Sequence, residues 1–141
     1  MEMRKKNIAG VLAALFATGI AGGLVAAAPA QAATTCTTPQ ACLYYESGHR
    51  GAHFRQTGGV TDYATRYFEA STATGSAGAG QTVKNNAESV DNFNPTYRFR
   101  VYYNSNYSGA YQTFGTDGSS SASGNLNSTL SNENASGAFV A

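Results

Sequence analysis

Two stretches, "YYESGHRGAHF" (Tyr44–Phe54) and "YYNSNYSGAYQTF" (Tyr102–Phe114), decide how this chain is read. The first alone suggests chemistry, because Glu46, His49 and His53 stand close together between glycines. The second removes most of that case. Aligned without gaps at an offset of 58 residues, Tyr44 meets Tyr102, Tyr45 meets Tyr103, Ser47 meets Ser105, Gly51 meets Gly109 and Ala52 meets Ala110. In that alignment His49 faces Tyr107, His53 faces Tyr111 and Glu46 faces Asn104, so the histidines occupy aromatic positions of a duplicated unit. No nucleophile or acid partner lies at a recognisable spacing from them, so no catalytic residue and no enzyme is expected.

A second echo closes each half. "KNNAES" (Lys84–Ser89) resembles "NENASG" (Asn132–Gly137), with Asn86 matching Asn134 and Ala87 matching Ala135 at an offset of 48. The first half therefore carries about ten more residues between its two signatures, placed in the Gly- and Ala-rich tract before Gln81. That tract, "STATGSAGAGQ" (Ser71–Gln81), and "GTDGSSSASGN" (Gly115–Asn125) have flexible-linker composition and are read as surface loops.

The rest of the chain is rich in aromatic, Thr, Ser, Asn and Gly residues and poor in helix signals, which indicates an all-β fold. Strands are expected at "CLYYE", "AHFRQ", "TRYFEA", "YRFRVYY" and "AYQTF". In "YRFRVYY" the alternation puts Tyr97, Phe99, Val101 and Tyr103 on one face and Arg98, Arg100 and Tyr102 on the other. Each half then makes about four short strands with an apolar face it cannot bury alone. The two halves are expected to pack as paired sheets with Greek-key connections. Gly51 and Gly109 suit a folded-over hairpin that needs positive φ or close backbone approach.

The N-terminus sets the compartment. Arg4, Lys5 and Lys6 precede an apolar run from Ile8 to about Ala28, and "APAQA" follows. This reads as a secretory signal peptide over residues 1–32, cleaved after Ala32, with a single domain over 33–141. The mature chain carries six Lys plus Arg against seven Asp plus Glu, a formal charge of −1, which offers nothing to nucleic acid. No second apolar stretch follows that could span a membrane. An extracellular monomer is expected. Cys36 and Cys42, five residues apart in an exported chain, are expected to form a disulfide that pins the N-terminal segment.

The paired motifs resemble those of the βγ-crystallin fold, whose hairpins carry an aromatic, a polar or acidic residue, a short spacer, a second aromatic and x-Gly. "YYNSNYSG" keeps Tyr103, Tyr107 and Gly109, while "YYESGHRG" departs with His49 at the aromatic position. Among secreted bacterial members, the cysteine pair leading into "CLYYE" and the later "VKNNAESVDN" are similar to the peptidase inhibitor family typified by the Streptomyces metalloproteinase inhibitor. That resemblance implies a secreted inhibitor of an extracellular zinc metalloprotease, acting through a rigid loop. The family's reactive loop is associated with a second disulfide, for which this chain has no cysteines. The candidate inhibitory loop here is Phe93, Asn94, Pro95, Thr96 and Tyr97, where Pro95 restricts the backbone and Phe93 and Tyr97 offer bulky side chains.

The resemblance also implies a degenerate calcium site, with Asn86, Glu88, Asn134 and Ser136 as candidate oxygen ligands. "KNNAES" departs from the crystallin pattern at Lys84 and Glu88, and "NENASG" ends in Gly137. No cofactor is required for inhibition. The alternative function is a calcium-binding or structural βγ-crystallin module without inhibitory activity. Three Asn-x-Ser/Thr sequons, at Asn106, Asn127 and Asn134, follow from the Asn, Ser and Thr richness alone and are expected to be unmodified.

Overall fold

The computed structural model describes residues 35–141, and the expected signal peptide, 1–32, lies outside the described residues. Among the described residues seven strands form two antiparallel sheets: β1 Ala41–Glu46, β2 Arg50–Gln56, β3 Ser89–Asn92, β4 Arg98–Asn104, β5 Ser108–Phe114, β6 Ser123–Asn125 and β7 Ser136–Val140. The first sheet runs in the order β2-β1-β3-β6 and the second β5-β4-β7. β6, from the second half, thus pairs with β3 of the first. In return Val60, from the first half, bridges Gly137 of β7. Each half lends a strand position to the other's sheet, so neither Greek key is complete alone.

The alternation read from the sequence builds the core between the sheets. Ala41 and Leu43 of β1, Ala52 of β2, Val90 of β3, and Phe99 and Val101 of β4 all point inward and are buried. Tyr63, Phe68, Val83, Leu126 and Leu130 from the connections fill the space between them.

The duplication is visible in the backbone itself. In the first hairpin Gly48, His49 and Gly51 have φ of 70, 60 and 81°; their counterparts Asn106, Tyr107 and Gly109 have 60, 58 and 81°. Both hairpins fold over their own sheet at a left-handed corner, and both show a register shift there, at Tyr44/Glu46 and at Tyr102/Asn104. A buried serine holds each corner. Ser89 Oγ donates to Glu46 O at 2.7 Å and accepts from His49 N at 3.0 Å. Ser136 Oγ donates to Asn104 O at 2.7 Å and accepts from Tyr107 N at 3.0 Å.

This equivalence corrects the alignment of the second signature. Ser89 pairs with Ser136, an offset of 47 rather than 48, so "KNNAES" corresponds to "SNENAS" (131–136) and not to "NENASG". Asn85 and Asn132, the other residues so related, share φ of 62 and 61°. They also make reciprocal contacts across the halves: Asn85 N donates to Asn134 O at 2.7 Å and Asn132 N to Ala87 O at 2.9 Å.

Two further expectations change. "TRYFEA" is not a strand; it follows a 3-10 turn at Tyr63–Thr65 and meets its neighbours through single bridges, His53 with Glu69 and Tyr67 with Thr82. Tyr97 and Tyr103 do not share the buried face of Phe99 and Val101 but are 48% and 41% exposed. Tyr97 precedes β4, and the register shift after Tyr102 turns Tyr103 away.

The tract Ser71–Gln81, expected as a surface loop of flexible-linker composition, packs against its neighbour through backbone hydrogen bonds. Thr74 O accepts from Gly51 N at 2.7 Å and Ala77 O from Ala52 N at 2.9 Å, so the tract covers the edge of β2. Its composition follows from that closeness. Gly78, at φ 85°, lies so near Tyr45 that a Cβ there would fall 2.1 Å from the ring.

A buried hydroxyl that serves two backbone groups leaves both unsatisfied when removed, at a cost of about 1–3 kcal/mol. Ser89→Ala and Ser136→Ala are each expected to lower stability by that amount, to similar extents, in urea titrations. A harmless Ser136→Ala would contradict the corrected equivalence.

Candidate functional site

The connection between the halves is held by two asparagines. Asn92 is fully buried; its Nδ2 donates to Tyr97 O at 2.9 Å and to Gly115 O at 2.7 Å, and its Oδ1 accepts from Asn94 N at 3.1 Å. Asn94 Oδ1 accepts from both Thr96 N (2.9 Å) and Tyr97 N (2.8 Å). This is the local capping geometry for which Asn is suited, and Pro95 fits it because it has no amide to place.

Beneath the loop lies the N-terminal arm. Cys36 and Cys42 are joined by a disulfide with their Cα atoms 6.2 Å apart. The arm between them supplies Gln40 O to Phe93 N at 2.8 Å and Pro39 O to Asn94 Nδ2 at 3.1 Å. From the other side Asp117 N donates to Asn94 O at 2.8 Å. The disulfide arm, the loop 93–97 and the loop after β5 therefore meet at one end of the molecule. Pro95, Thr96 and Tyr97 form the exposed tip, whereas Phe93 is half-buried. Of the two bulky side chains expected to face a partner, Tyr97 is the outward one.

The four candidate calcium ligands make hydrogen bonds within the chain. Asn86 Nδ2 turns back to Thr82 O at 2.9 Å and Lys84 O at 3.2 Å. Asn134, buried, donates to Val83 O at 2.8 Å and accepts from Ala87 N at 3.0 Å. Ser136 locks the second hairpin as described. Glu88 lies at the first hairpin, where Ser47 N (3.1 Å) and Asn132 Nδ2 (3.0 Å) donate to its carboxylate.

The second hairpin meets a positive charge instead, from Lys84 of the same "KNNAES" segment, since the counterpart of Glu88 is Ala135. Lys84 sets its ammonium 3.1 Å from Ser105 Oγ, in the second hairpin, and 3.1 Å from Asp62. The Ala64 amide first, and Lys84 with it, hold the Asp62 carboxyl below its ordinary range. Among the described residues no group of three or more His, Cys, Asp or Glu is placed to hold a metal ion.

The two histidines pack against Tyr44. His49 Nε2 lies 3.1 Å from Val90 O, which only accepts, so that nitrogen carries the proton. Its ring meets Tyr44 edge-on at 5.4 Å. His53, 1% exposed, lies 6.0 Å from the Tyr44 ring, and its Nε2 is buried without a hydrogen-bond partner. Burial, with Asp91 adding, pushes the Tyr44 hydroxyl up to about 12.

The sequence places Asn92 at the start of the connection "NFNPTY" but gives neither Asn92 nor Pro39 a role in holding the loop. The spacing N-x-N-P carried the signal for the Asn94 turn, since its side chain reaches amides two and three residues on. Nothing local marked the reach of Pro39 and Gln40, which are brought in by pairing of β1 with β3.

Two interleaved Greek keys with serine-locked folded hairpins define the βγ-crystallin class of fold. A solved structure described as "Evolution of the eye lens beta-gamma-crystallin domain fold" superposes with a TM-score of 0.57 at 13% identity, covering 78% of this chain and 93% of that one. The peptidase inhibitor family I36 matches residues 29–114, and the chain belongs to that family. No curated protein sequence matches the chain.

Burial, reinforced by Arg55 and opposed by Glu69, holds the His53 imidazole below its ordinary range. The unfolded chain therefore takes up the proton first. Stability is complete above the ordinary histidine pKa of about 6.5 and falls as pH drops through it toward the lower folded value. Asp91 acts oppositely: burial raises its carboxyl, with Asp117 adding and His49 opposing, and that penalty is relieved as pH falls through the raised pKa toward the ordinary value near about 3.9. Urea midpoints are expected to fall between neutral pH and about 5.5, and to fall less in both His53→Tyr and His53→Gln.

Proposed function

We propose that this chain is a secreted inhibitor of an extracellular zinc metalloprotease and that Pro95–Tyr97 is the element that enters the cleft. The observation that carries this reading is the exposed tip pinned by Asn92 and Asn94 and braced by the Cys36–Cys42 arm. A loop already ordered in its bound shape loses little entropy on binding. It also resists turnover. Asn94 holds the Thr96 and Tyr97 amides while Asn92 holds the Tyr97 carbonyl, so a cut at the tip leaves both new ends in place. Family membership supports a protease as the partner, and the disulfide fits an oxidising, extracellular setting.

The zinc class rests on the resemblance of the cysteine pair and "VKNNAESVDN" to the family of the Streptomyces metalloproteinase inhibitor. The Thr96 and Tyr97 amides are spent inward, so the tip offers a target side chains and carbonyl oxygens. A carbonyl oxygen is a group that a catalytic zinc can polarise.

Titration of thermolysin-like and serine proteases with the mature protein is expected to give stoichiometric inhibition of a metalloprotease. Tyr97→Gly should weaken it by about tenfold or more, at least about 1.4 kcal/mol, with the melting temperature unchanged. Asn94→Ala should turn the inhibitor into a substrate that is cleaved through. Inhibition of no protease, or a Tyr97→Gly variant as potent as the parent, defeats the reading. A non-inhibitor whose melting temperature rises with calcium would instead be a calcium-stabilised structural module.

Removing the disulfide isolates the brace. Cys36→Ser/Cys42→Ser is expected to speed cleavage within 93–97 by the target protease more than it lowers the urea midpoint, because the closed loop is short and adds little chain entropy. Equal effects on both would deny the arm a role in ordering the loop.

A further inference from the structure

The duplication supplies an internal comparison of the two outward sheet faces. On the first sheet, Cys42, Tyr44 and His53 are 0%, 4% and 1% exposed. Their counterparts on the second sheet are Arg100, Tyr102 and Tyr111, and there Tyr111 is 53% exposed. The edges differ likewise. Gly51 and Ala52 are buried beneath the Ser71–Gln81 tract, whereas Gly109 and Ala110 on β5 are open.

The open face is ordered. The Arg100 guanidinium lies 4.1 Å from the centre of the Tyr111 ring, and its Nε donates to Thr113 Oγ1 at 3.0 Å. Tyr102 packs against Tyr111 at 5.7 Å and Tyr107 at 5.9 Å. Arg98 stands two residues before Arg100 on the same face, exposed, and reaches the Ala141 carbonyl. The residues opposite this row are Thr113 and Tyr111 on β5 and Ser136, Ala138 and Val140 on β7; none is acidic.

We propose that the Arg98–Arg100–Tyr111 face is a second docking surface, which engages an acidic patch on the body of the protease beside its cleft. The proposal rests on the inhibitor reading above. Three observations support it. The face begins where the candidate loop ends, since Tyr97 leads directly into β4. Its composition is that of interface anchors, Tyr and Arg, with Arg100 already held by stacking, so little rotamer freedom is lost on contact. The loop is also too small to bind alone. Five residues fall well short of the roughly 20–30 a side that a stable interface uses, so flanking surface must contribute. Two guanidinium groups on a row whose strand partners carry no acidic side chain favour an acidic partner and speed its approach at low salt.

Association and dissociation rates of the mature protein with the metalloprotease it inhibits, at low and high salt, test this. Arg98→Glu/Arg100→Glu is expected to slow association about tenfold at low salt, with a smaller difference at high salt and an unchanged melting temperature. Arg98→Gln/Arg100→Gln should fall between that variant and the parent. If the charge-reversed protein inhibits with the parent's association rate and salt dependence, the docking face is overturned while the loop reading stands. If the parent binds no protease, both fall. A parent that is a dimer in solution and is split by the same reversal also overturns the proposal, because the face would then serve a second copy.

Discussion

A serine hydroxyl buried beneath a folded-over hairpin is the constraint on which the architecture rests. When the chain turns left-handed at His49 or Tyr107, it lifts one amide and one carbonyl out of the strand ladder. Buried backbone groups must be satisfied, and Ser89 and Ser136 satisfy both at once. Because each serine opens the fourth strand position of its own half, the same contact sets where β3 meets β1 and where β7 meets β4. The core alternation follows from that placement. The exchange of Val60 and β6 between the sheets then ties the two halves into one core.

Symmetry at the corners makes the departures from symmetry informative. The first half carries eleven extra residues between hairpin and serine, and they cover its own edge. The same half carries the disulfide arm over the end of β1. One half is closed, its outward Cys42, Tyr44 and His53 buried, while the other keeps arginine and tyrosine at the surface. A lone sheet edge is a liability in water unless it is covered or short. Covering one and leaving the other open is the asymmetry on which the proposed docking face rests.

The sequence made the all-β class, the duplication and the main hairpins legible because they rest on period-two alternation and a repeated aromatic pattern. Phe99 and Val101 point inward as their spacing requires. The short strands β3, β6 and β7 were not legible. Their residues, such as Ser123–Asn125 and Ser136–Val140, have turn-like or mixed composition and become strands only through partners distant in the chain. The one-residue slip between Asn134 and Ser136 has the same origin, since matching asparagines looked stronger than matching serines until the hydrogen bonds fixed the pairing. The order in Ser71–Gln81 was hidden for a different reason. Glycine there serves close packing on Tyr45, and composition alone does not separate that from flexibility.

At the candidate site, position was legible and rigidity was not. Pro95 and Tyr97 marked the connection, but the groups that hold it are a buried amide at Asn92, a capping amide at Asn94 and two carbonyls of the disulfide arm. Cys36–Cys42 closes the arm, and the arm meets the loop through the Gln40 and Pro39 carbonyls. Such a hydrogen-bonded brace is weaker than a covalent one, each bond contributing about 1 kcal/mol. Its advantage is that it spans the tip. The loop is held from three segments whose contacts converge on Asn94, so the hold depends on that residue and not on any one peptide bond at the tip.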